Sequence, residues 1–177
     1  PKNAIISSDI GNNCAIGNAY PTFDEGRKYL APGLFGPCGY GFPAIAGAKI
    51  AKPDVPVVGF AGDGAFGISM NEMVSVGRDE WPAITMVIFR NYQWGAEKRN
   101  TTLWFEDNFV GTELDMEVSY AGIANQCGLT GVQVSSMDEL TDALNKAVDA
   151  QMTENKTTFI EVVLNQELGE PFRRDAM

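Results

Sequence analysis

The run Val57-Val58-Gly59-Phe60-Ala61, followed at once by Gly62-Asp63-Gly64-Ala65, decides the fold. Such a short apolar run reads as a strand buried on both faces, as in a parallel sheet. The glycines mark a tight turn, and Ala65 to Arg78 then carries Phe66, Met70, Met73, Val74 and Gly77 at helical spacing.

The same alternation extends in both directions. Upstream, Ala4 to Ser7 reads as a first strand, ended by the polar turn Asp9-Ile10-Gly11-Asn12-Asn13. An irregular stretch leads to Gly39 to Ala51, a close-packed helix rich in alanine and glycine, which Pro53 and Pro56 separate from the strand at Val57. Downstream, Pro82 precedes a second continuous apolar strand, Ile84 to Phe89, and residues 91 to 115 have no clear period. Val118 to Cys127 is helical and Gly131 to Val134 is a short strand. Ser136 with Glu139 is a capping box opening a helix whose buried stripe is Leu140, Leu144, Ala147 and Val148. Thr158 to Leu164 is a last strand. The pattern predicts an α/β fold: a doubly wound, mainly parallel sheet with helices on both faces. Residues 1–177 are expected to form one domain, with 166–177 as a C-terminal tail.

Composition narrows the chemistry. The 177 residues are 45% hydrophobic and 20% charged, with 19 glycines and a formal charge of -10. No basic run exists, so nucleic acid is not an expected partner. The chain has no histidine, which excludes Ser-His-Asp catalysis and most zinc sites. Cys14, Cys38 and Cys127 are too few and too scattered for a disulfide framework, and a reducing cytoplasm suits them. No apolar stretch is long enough to span a bilayer and none reads as a signal peptide, so no membrane partner is expected. The chain opens on Pro1, from which we expect a domain of a longer polypeptide.

Ligands of parallel sheets bind beyond the carboxyl ends of the strands, and two loops there stand out. Gly62-Asp63-Gly64-Ala65 lets backbone approach an anion at a helix N-terminus. Asn91-Tyr92-Gln93-Trp94-Gly95 follows the strand Ile84 to Phe89. If those strands are neighbours, Asp63 and Asn91 meet, and a carboxylate with a carboxamide and a backbone carbonyl suits Mg²⁺. Taken singly, each loop also reads as an ordinary turn.

Gly62-Asp63-Gly64 followed by Asn91 resembles the cofactor motif of the thiamine diphosphate enzymes, and the resemblance covers nearly the whole chain. It implies their diphosphate-binding domain, with thiamine diphosphate and Mg²⁺ as cofactors and Asp63, Asn91 and the Gln93 carbonyl as metal ligands. It further implies cofactor contacts from Gly11, Asn12 and Asn13, from Gly36 and Cys38 in the segment Pro32 to Pro43, from Gly62, Gly64 and Ala65, and from Gly95. Two positions depart from the family pattern. Arg90 stands where an Asn is usual, and reads as a surface or strand-end charge or as an anion contact. Cys38 stands where a bulky residue usually props the cofactor, and reads equally as a small buried hydrophobe.

Across its length the chain is similar to the acyltransferases akin to acetolactate synthase. That similarity implies transfer of an acetyl unit from sulfoacetaldehyde to phosphate, with release of sulfite. The activating glutamate would come from a separate pyrimidine-binding domain across a subunit interface of a homo-oligomer, so no catalytic residue is assigned here. Arg173 and Arg174 read as oxyanion contacts or as a solvated tail, and Trp94, Trp104 and Phe105 as channel, core or subunit-contact residues. Two other readings stay open: a small subunit of a thiamine-dependent 2-oxoacid decarboxylase, and a non-catalytic module binding a nucleotide or Mg²⁺.

Overall fold

The computed structural model describes residues 1–167. Along the chain run β1 (Ile5–Ser8), α1 (Asn12–Ala19), β2 (Tyr29–Leu30), α2 (Gly41–Ala51), β3 (Val57–Gly62) and α3 (Asp63–Ser69). A 3-10 turn (Met70–Glu72) leads to α4 (Met73–Val76), then β4 (Thr85–Arg90), α5 (Gly95–Trp104), α6 (Tyr120–Gln126), β5 (Thr130–Val134), α7 (Met137–Thr153) and β6 (Thr158–Val163). The strands form one sheet in the order β2-β1-β3-β4-β6-β5, and every neighbouring pair is parallel. The expected doubly wound α/β architecture is therefore present.

This order contains a reversal. The chain steps from β1 outward to β2, then crosses back over β1 to lay down β3 on its far side. Between the carboxyl ends of β1 and β3 the flanking connections diverge and leave a crevice for a ligand. The register pairs Ser8 with Phe60 and Gly62 with Phe89, so the loops after β1, β3 and β4 all open at one edge.

The two faces of the sheet are packed unequally. On one, α2, α3, α4 and α6 bury Phe42, Ile45, Phe66, Met73 and Ala124 against Ile84, Met86, Ile88 and Phe159. The ring of Phe66 contacts those of Phe42, Tyr120 and Phe159 at centroid distances of 5.5, 5.3 and 5.9 Å. The other face carries a smaller cluster, in which Ala147 of α7 meets Val87, Ile160 and Val162 and is flanked by Leu140, Ala143 and Leu144.

Several elements depart from the expectation. α1 has a weak apolar stripe, with Gly17 its one buried residue, so the segment after Asn13 reads as irregular. α5 buries no residue at all, which hides a helix inside the aperiodic segment 91–115. β2 is two residues long and makes the sheet edge. The helix expected over Ala65 to Arg78 begins earlier, at Asp63, and is broken by the 3-10 turn. The capping box forms in part: Ser136 Oγ accepts the Glu139 N–H at 3.2 Å, while the Glu139 carboxylate turns back to Ser135 instead of Ser136.

Candidate cofactor and metal site

β3 and β4 are neighbours, so Asp63 at the start of α3 and Asn91 just after β4 meet at the sheet edge. Between Asn91 and Gln93 the chain reverses through Tyr92, which takes a left-handed conformation with φ 61°. The reversal turns the Gln93 carbonyl back toward the Asn91 side chain. In the rotamer present, the Asn91 carboxamide oxygen lies 3.0 Å from the Gln93 carbonyl oxygen and 3.2 Å from Asp63 Oδ1. Half a turn of the amide would instead put its NH₂ there, donating to both.

The Asn91 side chain thus stands within 3.0–3.2 Å of two acceptor oxygens, satisfied by its NH₂ in the flipped amide and by a shared cation in the other orientation. Octahedral Mg²⁺ with Mg–O distances near 2.1 Å separates adjacent ligand oxygens by about 3.0 Å. The donor set is one carboxylate and two neutral oxygens, which leaves room for phosphate oxygens and water. The residues present thus fit the metal that the sequence led us to expect.

Asp63 is 1% exposed. Burial pushes its carboxyl above the usual range. The N–H groups of Tyr92 and Gly64 and the Arg90 guanidinium pull it back only in part. A buried carboxylate held so is a ready partner for a divalent cation. Its Oδ2 accepts the Tyr92 N–H at 2.6 Å and its Oδ1 the Gly64 N–H at 3.0 Å. Gly64 N–H is thus satisfied, and Ala65 follows it in the first turn of α3, where N–H groups have no intrahelical partner.

The β1 loop completes the crevice. Gly11 has φ 102°, a backbone that glycine adopts without strain, and it opens α1 with Asn12 and Asn13 in the first turn. Asn13 Nδ2 sits close enough to Gly62 that a Cβ there would lie 3.1 Å from it, so the loops after β1 and β3 touch. Asp9, fully buried, joins the third wall: its carboxylate accepts the N–H groups of Ile10, Gly39 and Gly41 at 2.8, 3.0 and 2.7 Å. That holds the turn bearing Gly36 and Cys38 against the end of β1.

All twelve residues expected to contact the cofactor line one open cleft of about 1360 Å³: Gly11, Asn12, Asn13, Gly36, Cys38, Gly62, Asp63, Gly64, Ala65, Asn91, Gln93 and Gly95. Cys38 is exposed on the wall of that cleft and not a buried hydrophobe. Trp94 packs its indole over Gly64, whereas Trp104 and Phe105, 66% and 65% exposed, lie neither in the core nor along the cleft. Arg173 and Arg174 lie outside the described residues. The reading of Arg90 as a surface charge fails, since its side chain is 2% exposed and pairs with Glu161. No local pattern in the sequence marks Asp9, Tyr120 or Glu161 as part of the site. A glutamate inside the apolar strand Thr158–Val163 was the signal available for the last.

Comparison with known proteins bears directly on this crevice. The description "Thiamine pyrophosphate enzyme, C-terminal TPP binding domain" matches residues 9–162. The chain belongs to the thiamine pyrophosphate enzymes. Its cofactor is thiamine diphosphate, and the reading as a non-catalytic nucleotide module falls away. Over all 177 residues it is 75% identical to the sulfoacetaldehyde acetyltransferase of Roseovarius nubinhibens and 74% identical to that of Rhodobacter capsulatus, spanning 29% and 30% of those proteins. It is 26% identical over 163 residues to the acetolactate synthase large subunit of Haemophilus influenzae, covering 92% of this chain and 28% of that one. In fold it matches a Rhodococcus jostii thiamine diphosphate-dependent 4-hydroxybenzoylformate decarboxylase, with TM-score 0.80 and 23% identity over 96% of this chain and 31% of that one. The chain spans about 30% of the length of the curated relatives it matches, so other domains of the same enzyme are implied.

Proposed function

We propose that this chain is the diphosphate-binding domain, over residues 1–177, of a sulfoacetaldehyde acetyltransferase that converts sulfoacetaldehyde and phosphate to acetyl phosphate and sulfite. The observation that carries the reading is the 75% identity to such an enzyme across every residue of the chain. That degree of identity favours acyl transfer over 2-oxoacid decarboxylation.

Thiamine diphosphate, when bound, supplies the nucleophilic carbon that attacks the aldehyde. The residues of this chain bind and orient it. Asp63, Asn91 and the Gln93 carbonyl hold Mg²⁺, and the cation answers the repulsion between an anionic cofactor and a chain of net charge -10. Ala65 N–H and the amides of Asn12 and Asn13 donate to the diphosphate. Backbone groups at Gly36 and Cys38 face the aminopyrimidine, on a turn that Asp9 fixes. No side chain in this crevice is assigned the proton transfer that activates the cofactor. That role belongs to a glutamate of a pyrimidine-binding domain reached across a homo-oligomer interface. The three free cysteines, Cys14, Cys38 and Cys127, agree with a cytoplasmic site of action, and among the described residues no helix is long and apolar enough to cross a membrane.

Titration calorimetry with thiamine diphosphate, with and without Mg²⁺, tests the metal bridge on the full-length protein. Asp63→Ala should abolish the Mg²⁺-dependent binding, and retained binding would sink the bridge. Acetyl phosphate formed from sulfoacetaldehyde and phosphate by the full-length protein tests the reaction, and this chain alone should give negligible turnover.

A further inference from the structure

The departure at Arg90 is built into the fold more deeply than a strand-end charge would be. The guanidinium lies in a closed chamber between two rings, 4.5 Å from the centroid of Tyr92 and 5.1 Å from that of Tyr120. Its Nη2 donates to the Asp115 carbonyl at 2.8 Å. Its Nε forms an ion pair with Glu161 Oε1 at 3.1 Å, and that oxygen has no hydrogen-bond partner among the described residues. Glu161, itself fully buried, uses Oε2 to accept from Ser119 Oγ at 2.8 Å and from the Ala121 N–H at 3.0 Å.

Both rings lead to the cation site. Tyr120 donates its hydroxyl to the Asp63 carbonyl at 3.2 Å. Tyr92 is the left-handed residue between Asn91, whose side chain faces Asp63, and Gln93, whose carbonyl faces the Asn91 side chain. Bulky side chains adopt that conformation only when their surroundings enforce it. Here Asp63 Oδ2 holds the Tyr92 N–H, Leu114 N–H holds its carbonyl at 2.9 Å, and the Arg90 guanidinium covers its ring. Delocalised, planar and always charged, a guanidinium can stack on both faces while its edge bonds a carbonyl, which an ammonium cannot do.

We propose that Arg90, oriented by Glu161, is a positioning residue for the metal: its stacking on Tyr92 fixes the reversed loop that brings the Asn91 and Gln93 oxygens to Asp63. The inference rests on the reading of those three residues as the Mg²⁺ site. It assigns to Arg90 and Glu161 an effect on cation affinity that a buried ion pair serving only stability would not have.

The test uses the full-length protein. Apparent Mg²⁺ affinity is measured at saturating thiamine diphosphate by quenching of tryptophan emission, and thermal stability is measured without either ligand. Arg90→Met alone leaves Glu161 buried and unpaired and is expected to unfold readily. The double variant Arg90→Met/Glu161→Gln removes both charges at similar volume. It should keep the thermal stability of the parent and lose about 10- to 100-fold in Mg²⁺ affinity, the range typical of groups that support metal ligands. Tyr92→Leu, which keeps the ion pair and removes the stacked ring, should weaken Mg²⁺ in the same sense. Arg90→Lys should not rescue. If the double variant and Tyr92→Leu both bind Mg²⁺ within about twofold of the parent, against that expected range, Arg90 has a structural role only. If the parent itself binds thiamine diphosphate without regard to Mg²⁺, the metal site falls and this inference falls with it.

Discussion

Asp63 Oδ2 accepts the Tyr92 N–H across 2.6 Å, so the turn after β3 and the loop after β4 are tied through the same carboxylate that faces Asn91. The carboxylate has two tasks, to hold the loop and to carry charge, and Asp63→Asn ends the second while giving up one of its two N–H partners, Tyr92 or Gly64. The amide keeps one acceptor and the side-chain shape but removes the charge that a divalent ion needs. We expect the variant to fold and to bind thiamine diphosphate at least about 10-fold more weakly in Mg²⁺, comparable to the loss of a supporting ligand group or worse. Calorimetry with and without the cation checks this, and an unchanged affinity would remove Asp63 from the metal site.

Gly64 has a steric reason to be glycine. A Cβ at this position would lie 2.8 Å from Cδ2 and Cε3 of Trp94 and 3.0 Å from its Cε2. Gly64→Ala must therefore push the indole away from the crevice, at a cost of about 1–3 kcal/mol as in other overpacked sites. Urea unfolding gives the loss of stability. A shift in tryptophan emission that is absent in a Trp94→Phe background identifies the ring that moves.

Asp9 serves the opposite wall. Its Oδ2 is the acceptor for Gly41 N–H, while Oδ1 is shared by Ile10 and Gly39. In Asp9→Asn one of the two positions becomes an NH₂ facing an N–H, and a buried donor left without an acceptor costs about 1–3 kcal/mol. The turn carrying Gly36 and Cys38 should loosen. Weaker thiamine diphosphate binding with Mg²⁺ dependence retained is the expected calorimetric result. Loss of the Mg²⁺ dependence instead would mean that Asp9 acts on the metal loops.

What could be read without coordinates follows the strength of the local signal. Val57 to Ala61 is buried on one face and half-buried on the other, and Thr85 to Arg90 is buried at all but Phe89, so their apolar runs reveal strands, and the turns that follow them reveal Asp63 and Asn91. The meeting of those two residues needed the strand order, which lies in no local pattern. α5 was hidden because a helix that buries nothing carries no apolar period. Glu161 and Arg90 were hidden for another reason: a charge inside or at the end of an apolar strand looks anomalous until its partner on the adjacent strand is known. Their pairing is a property of the register, which sets Arg90 opposite Val163, two residues beyond Glu161.

Gln151 extends this point to stability. From α7 it completes the start of β3 as a strand would: its Oε1 accepts the Val57 N–H at 2.8 Å, and its Nε2 donates to the Val57 carbonyl at 2.8 Å and to Thr85 Oγ1 at 2.9 Å. The side chain is 2% exposed, so no water replaces it. Gln151→Ala leaves these backbone groups buried and unbonded, and about 2–4 kcal/mol should be lost. Denaturant unfolding measures the difference. A loss below about 1 kcal/mol would show that the groups find other partners.

Glu139 supplies the pH dependence. Its carboxylate accepts the Ser135 N–H at 2.8 Å and Ser135 Oγ at 3.2 Å, and it stands in the first turn of α7, where the helix dipole favours negative charge. The Ser135 backbone N–H, then its hydroxyl, hold the Glu139 carboxyl below its usual value of 4.5. A carboxyl depressed by folding adds stability that is present above its unfolded value and is lost as pH falls through its folded one. Glu139→Gln keeps a carbonyl acceptor and removes the charge. Its melting temperature should therefore lie below that of the parent at neutral pH, with the gap closing as pH falls below 4.5. The group is fully exposed, so added salt should narrow the gap at neutral pH as well. A gap that persists unchanged in acid would assign the stabilisation to the shape of the side chain and not to its charge.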